Sequence, residues 1–295
     1  MKFGLRYLNT GENVRSDNAI SMAQAAEEAG FESIWTVDHV VVPKGYKSTY
    51  PYAASDLAQS KQSVGNGKED MPYPDPLIYL AYLASVTKTI RLATGILIIP
   101  QRNPIVTAKQ IATLDHLSGG RIDLGIGVGW LEEEFKAIGV PFARRGKRTD
   151  EYITAMKALW ANEFAEYHGD FIDFDPIFCR PQPINGTVPI IVGGHSKAAA
   201  ERAGRIGDGF FPARDAPQEL FDIVRETAQK NNRDPAEIEF TVSVPDNLDD
   251  IPELAKLGVK RILIPSSAMG GTGQWASTPE EVLALKDMIH KYKTT

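Results

Sequence analysis

Cysteine is nearly absent: Cys179 stands alone in 295 residues. That excludes an internal disulfide and any site built from several thiolates of one chain, and a reducing, cytoplasmic setting is the expectation. No apolar run is long enough to cross a bilayer, and the chain opens on the strand-like Phe3-Gly4-Leu5-Arg6-Tyr7-Leu8, without the basic start and apolar stretch of an export signal. Positive charge is short as well. With 32 Lys and Arg against 38 Asp and Glu the formal net charge is −6, which argues against a face built to grip nucleic acid. The one basic cluster, Arg144, Arg145, Lys147 and Arg148, runs into Thr149, Asp150 and Glu151. It reads as paired surface charge at a helix start, with a local anion site as the other reading.

The chemistry-bearing patterns that are missing narrow the function further. Five histidines, His39, His116, His168, His195 and His290, show no His-Glu-x-x-His spacing, so no metal site is expected. No Gly-x-Ser-x-Gly elbow supports acyl transfer. The glycines of Gly125-Ile126-Gly127-Val128-Gly129-Trp130 do not make a dinucleotide fingerprint, because Trp130 stands where the third glycine belongs.

What is present is an alternation. Short β-branched apolar runs at 3–8, 33–37, 91–98, 121–127, 190–192, 209–211, 239–244 and 261–264 interleave with helical patterns at 16–29, 76–84, 105–117, 148–159, 196–205, 217–230, 251–257 and 279–291. Eight strands, each followed by a helix, predict a (β/α)8 TIM barrel spanning 1–295 as a single domain. Gly30, Gly119-Gly120 and Gly258 follow helical patterns where left-handed caps belong. Two stretches exceed the minimum. The insertion 40–75 reads as a wall or lid over the strand ends, and 163–182, with its aromatic, Asp-Pro and Arg-Pro pattern, as a small hairpin or excursion.

In such a barrel the reactive groups sit at the C-terminal ends of the strands. Asp38-His39 closes the second strand, and an imidazole there can move a proton near neutral pH. Glu132, after the fourth strand, is a candidate acid or base, although a first-turn glutamate also simply suits the helix dipole. Gly95, in Thr94-Gly95-Ile96, either lets a flat ligand approach the backbone or marks a bulge. Gly193-Gly194-His195-Ser196 precedes a helix, so backbone amides and a capping serine form either a phosphate seat or an ordinary glycine turn. Asp115-His116, inside an amphipathic helix, reads as a packing or solvated pair.

Asp38-His39-Val40, Thr94-Gly95-Ile96, Ala108-Lys109-Gln110-Ile111-Ala112-Thr113-Leu114-Asp115 with Leu117-Ser118-Gly119-Gly120-Arg121, and Gly125–Trp130 together resemble the luciferase-like monooxygenase family. The segments Gly139-Val140-Pro141-Phe142, Arg144, Arg148-Thr149-Asp150-Glu151 and Val192-Gly193-Gly194-His195-Ser196 resemble its F420-dependent oxidoreductase branch. This resemblance implies a pocket for the deazaflavin coenzyme F420, with the tail phosphate near Gly193, Gly194, His195 and Ser196. It implies a strand-three bulge with a non-prolyl cis Gly95–Ile96 peptide under the ring, Gly127 and Gly129 beside it, and Asp38, His39 and Glu132 as pocket residues. A homodimer is implied too.

The function expected is hydride transfer between the deazaflavin and a small organic substrate. His39 or Glu132 would move the proton, and Asp38 would orient His39 or touch the cofactor. The rival readings are an FMN-dependent monooxygenase and a flavin-binding protein without turnover.

Overall fold

A computed structural model describes residues 1–51, 70–212, 217–267 and 276–293. In chain order the elements are β1 (Lys2–Arg6), α1 (Ser16–Ala29), β2 (Ser33–Thr36), α2 (Pro76–Ala84), β3 (Arg91–Thr94), β4 (Leu97–Ile98), α3 (Pro104–Ser118), β5 (Ile122–Gly127), α4 (Glu132–Ala137) and α5 (Arg145–Ala161). They continue with β6 (Ala165–His168), β7 (Asp173–Ile177), β8 (Ile190–Gly193), α6 (Lys197–Ile206), β9 (Gly209–Phe211), α7 (Gln218–Lys230), β10 (Glu239–Ser243), α8 (Ile251–Lys256), β11 (Val259–Pro265), α9 (Pro279–Ala284) and α10 (Lys286–Lys293). The nine-stranded sheet runs β3-β2-β1-β11-β10-β9-β8-β5-β4 and closes through β3 on β5. Because β3 and β4 are halves of one broken strand, the barrel has eight parallel staves, as the alternation predicts.

Local chemistry sets the helix ends. Asp75 accepts the N–H groups of Leu77 and Ile78 ahead of α2, Asn103 those of Ile105 and Val106 ahead of α3, and a proline takes the first helical position in both. Gly30 and Gly119 end α1 and α3 in the left-handed region, at φ 89° and 72°. The segment 163–182 contains the antiparallel hairpin β6–β7. The first strand stops at Arg6 rather than Leu8, because Tyr7 turns to φ 67° and its carbonyl accepts the Thr10 hydroxyl. The basic cluster does not pair within itself. Arg144 meets Asp170, Arg148 donates to the carbonyls of Pro141 and Ala143, and Asp150 pairs with Arg202 and Arg205 of α6. No helix among the described residues is long and apolar enough to cross a membrane.

Period-two alternation sorts the strand residues between two cores. Outward side chains such as Phe3, Leu5, Ile34, Leu92, Ile122 and Ile190 meet the helices in the large core. Inward ones stack along the axis. Trp35, Ala93, Ile191, Phe211 and Leu263 form an apolar plug. Below it, toward the N-terminal ends of the strands, lie three cations and three carboxylates in one network. Arg261 binds Glu32 at 2.9 Å, Glu239 at 2.7 Å and Asp123 at 3.5 Å, Lys2 binds Glu239 and Arg91 binds Asp123, both at 2.5 Å. Burial would raise the Glu32 carboxyl, but the Arg261 guanidinium holds it below the usual carboxylate range.

Arg261 is 3% exposed and is the one group in this network touching three carboxylates. Its removal leaves buried negative charge unpaired, which costs about 3–5 kcal/mol. Arg261→Met should therefore lose about 3 kcal/mol or more in urea unfolding. A loss under about 1 kcal/mol would show that the network contributes little at this end of the barrel.

Candidate active site

The opposite end of the barrel carries different chemistry. The third stave breaks between β3 and β4, where the Gly95–Ile96 peptide is cis. The break is tied down by the Thr94 hydroxyl donating to the Gly125 carbonyl at 2.6 Å and by the Gly95 N–H donating to the Thr36 carbonyl. The Ile96 side chain then lies across the neighbouring staves. A Cβ at residue 127 would fall 1.7 Å from Ile96 Cδ1, one at residue 193 would fall 2.5 Å from Ile96 Cγ2, and one at residue 125 would fall 1.8 Å from the Thr94 carbonyl oxygen. The glycines of β5 and β8 thus make room for the bulge. Gly129 is also a packing glycine, at φ 78° with Phe135 and Ile98 closing on it.

Asp38 is buried at the end of β2. Its carboxylate accepts the Ile98 N–H at 2.8 Å and Arg102 at 2.9 Å, and Arg102 reaches on to Asp75 at 3.2 Å. The pair clamps the far side of the bulge to β2 and to the start of α2. Burial pushes the Asp38 carboxyl upward, against the pull of Arg102 and the Ile98 N–H. With both oxygens engaged, Asp38 does not orient His39, which corrects the pairing expected from their adjacency.

That partner is Glu134. Its Oε2 lies 3.2 Å from His39 Nδ1, while Oε1 accepts the N–H groups of Val40 and Val41 at 2.7 and 3.3 Å. Glu134 is fully buried and the His39 side chain is 13% exposed. A carboxylate oxygen accepts, so the geometry assigns the Nδ1 proton to the bond with Glu134 and leaves Nε2 outside that bond. Glu132 is exposed, with its N–H donating to the Ser48 hydroxyl at 3.3 Å. The carboxylate that meets His39 is thus Glu134, a residue the sequence did not single out. Two residues along a helix is about 200° of rotation, which turns one carboxylate to solvent and the other inward.

Glu133, between them, fastens the insertion. It accepts the N–H groups of Lys47 and Ser48 and the Ser48 hydroxyl at 2.7, 3.1 and 2.6 Å. The rings of Tyr46 and Tyr50 stand edge-on to Trp130, and His39 lies 5.1 Å from Tyr73 and 6.3 Å from Trp130. An aromatic wall therefore flanks the imidazole. The middle of the predicted lid, 52–69, lies outside the described residues.

At the end of β8, Gly194 takes φ 124° and donates to the Phe211 carbonyl at 3.1 Å. His195 is half-buried, and Ser196 caps α6 by accepting the Ala199 N–H at 3.3 Å. Thr94, Gly95, Ile96, Gly127, Gly193 and Asp38 thus share one ring of strand ends with His39, and Gly194, His195 and Ser196 continue it to the start of α6. A depression of about 1100 Å³ lies at the other end of the barrel, where Lys2 pairs with Glu239, Glu32 with Arg261 and Arg91 with Asp123.

Comparisons with known proteins agree with this architecture. The model of a family described as luciferase-like monooxygenase matches residues 1–284. An uncharacterized protein of Mycobacterium tuberculosis is 34% identical over 251 residues, covering 83% of each chain. The FMNH(2)-dependent dimethylsulfone monooxygenase of Pseudomonas putida is 34% identical over 194 residues, 64% of this chain and 47% of that protein. The coenzyme F420 dependent tetrahydromethanopterin reductase of Methanopyrus kandleri superposes with a TM-score of 0.75 at 17% identity, covering 99% of both chains.

Two substitutions probe this geometry. Gly127→Ala should cost about 1–3 kcal/mol by overpacking. Ile96→Val removes the Cδ1 atom it strikes, so the double variant should recover roughly 1 kcal/mol relative to the sum of the singles in urea unfolding. Additive losses would show that Ile96 does not occupy the space vacated at residue 127.

The second probe is pH. Burial would raise the Glu133 carboxyl, but the Ser48 hydroxyl and the N–H groups of Lys47 and Ser48 pull it down from 4.5 to about 2. A carboxyl depressed in the folded state holds its partners fully above its unfolded value and releases them as the pH falls through the folded one. The amide resonances of Lys47 and Ser48 should therefore stay unchanged from about pH 6 to about pH 3.5. A titration centred near the ordinary carboxylate value would refute the anchoring.

Proposed function

The chain belongs to the luciferase-like monooxygenase family, and from that premise we propose that it is an F420-dependent oxidoreductase that moves a hydride between the deazaflavin and a small organic substrate. The observation that carries the reading is the His39–Glu134 pair set in the same ring of strand ends as the Ile96 bulge. Oxidation of an alcohol, or the reverse reduction, needs one group that takes or gives a proton while the hydride moves. An imidazole held by a fully buried carboxylate suits both directions: Nε2 accepts the proton, and Glu134 stabilises the resulting imidazolium.

The residues present fit a flat ring. On the β3–β5–β8 side the inward positions at the mouth are Gly95, Gly127 and Gly193, so the surface offered is backbone and the single apolar side chain of Ile96. When bound there, the deazaflavin would supply the reactive carbon for the hydride. Asp38 would hold the bulge through Ile98, and Thr94 through Gly125. His195 and the start of α6 would hold the tail phosphate with backbone N–H groups, and Gly193 and Gly194, which carry no side chain, would let it approach. Trp130, Tyr46, Tyr50 and Tyr73 would exclude water from the imidazole. We read the exposed apolar side chains Ile78 and Tyr82 of α2 and Val106 and Leu117 of α3 as the contact of a homodimer.

A second reading has its own support. The dimethylsulfone monooxygenase relative is FMNH(2)-dependent by name and shares 34% identity with this chain over 194 residues. On that reading the same bulge and wall serve a reduced flavin, and the substrate is oxygenated.

Titrating the purified apoprotein with F420 and, separately, with FMN by ligand fluorescence decides between them. Tighter F420 binding is expected, preference for FMN would move the assignment to a monooxygenase, and binding of neither would overturn the redox reading. His39→Ala should then lose about 100-fold or more in kcat with cofactor affinity retained. Full activity in that variant would remove His39 from the proton step.

A further inference from the structure

Arg6 ends β1 on its inward face. Gly4, two residues earlier, is confirmed as inward because a Cβ there would strike Leu263 and Trp35, and strand periodicity puts Arg6 on the same side. It pairs in register with Trp35 on one side and Pro265 on the other, at the C-terminal end of the barrel. The guanidinium reaches past β11 to β10, where Nη1 donates to the Ser243 hydroxyl at 3.0 Å, and it stands 4.5 Å from the Tyr7 ring and 5.9 Å from that of Phe211.

The other buried arginines are compensated. Arg261 has three carboxylates, Arg202 has Asp150, Arg121 has the carbonyls of Ala84, Thr87, Ile90 and Ser118, and Arg148 has those of Pro141 and Ala143. Arg6 is 7% exposed, yet its one hydrogen bond goes to a neutral hydroxyl, its Nε is buried without a partner, and no carboxylate among the described residues pairs with it. A cation left in this state is costly unless something negative completes it. A second group nearby is also incomplete. On the neighbouring stave, two residues beyond Pro265, the Ser267 hydroxyl is buried and has no hydrogen-bond partner.

We propose that Arg6, Ser243 and Ser267 form a subsite for the carboxylate or sulfonate of a small organic anion, which makes the substrate an organic acid. The inference rests on the reading of this ring of strand ends as the substrate site, and it adds the substrate's charge. Arg6 offers the fixed positive charge and a fork of N–H donors that match an oxyanion, and the hydroxyls add neutral donors at its edge. The plug of Trp35, Phe211 and Leu263 below closes the bottom of the subsite, so an anion there is withdrawn from water and the contact is strong. His39 belongs to the adjacent stave, so an acid anchored through its anionic end keeps its remaining carbons within the same mouth.

The test uses the apoprotein without cofactor, so that it stands apart from the choice between F420 and FMN. Butyrate, benzoate and butanesulfonate are titrated calorimetrically in chloride-free buffer beside butanol and butyramide. Saturable binding of at least one anion, with the neutral compounds about 30-fold weaker or more, is expected. Arg6→Met should abolish that preference, Arg6→Lys should keep part of it, and Ser267→Ala should weaken it about 3- to 10-fold in a protein whose charge is untouched. Cofactor affinity of Arg6→Met should stay within about 3-fold of the parent protein. No saturable anion binding, equal binding of neutral analogues, or loss of cofactor rather than anion binding in Arg6→Met would each overturn the subsite, even where the cofactor titration supports the redox reading.

Discussion

The side chain of Ile96 lies where Cβ atoms at residues 127 and 193 would stand, and the Thr94 carbonyl lies where one at 125 would. Close packing allows no two atoms in one place, so the broken third stave and the glycines of the fourth and fifth exist only together. Much of the mouth follows from that exclusion. The bulge needs an anchor on its far side, which Asp38 supplies through Ile98 and Arg102, and Arg102 in turn ties in Asp75 and the start of α2. A row of backbone and one aliphatic side chain replaces the usual inward side chains, and this is the surface on which a planar ring can lie.

Three consecutive glutamates divide the remaining labour by helical phase alone. Glu132 faces solvent, Glu133 fastens Lys47 and Ser48, and Glu134 turns inward to receive His39 together with the amides of Val40 and Val41. The chain leaving β2 is thereby bound to α4, an element that follows a different stave. The imidazole depends on this bond to α4, because its sequence neighbour Asp38 is already committed to the bulge.

Charge is distributed unevenly along the axis. At the N-terminal end three cations meet three carboxylates, and the balance closes the barrel without a ligand. At the C-terminal end Arg6 stands with one neutral partner above an apolar plug. Such a contrast is expected of a fold that keeps stability at one end and chemistry at the other.

The eight staves, their helices, the glycine caps and the ring of strand ends were legible in the chain, because apolar periodicity and turn chemistry act over a few residues and leave a local record. Asp38-His39, Thr94-Gly95-Ile96 and Gly193–Ser196 were placed at that ring for the same reason. The identity of the buried glutamate was not legible, since three identical residues in a row carry no mark of phase until Leu131 and Phe135 are seen to be buried. Nor was Arg6, which reads as one polar residue in an apolar run and becomes conspicuous only when its Nε is seen to be buried without a partner and no carboxylate among the described residues pairs with it. By itself the sequence determined the barrel and the strand ends that form its mouth. The tertiary structure alone decided which of them meet, because partnership between residues of different staves depends on barrel closure and on the space one stave leaves for another.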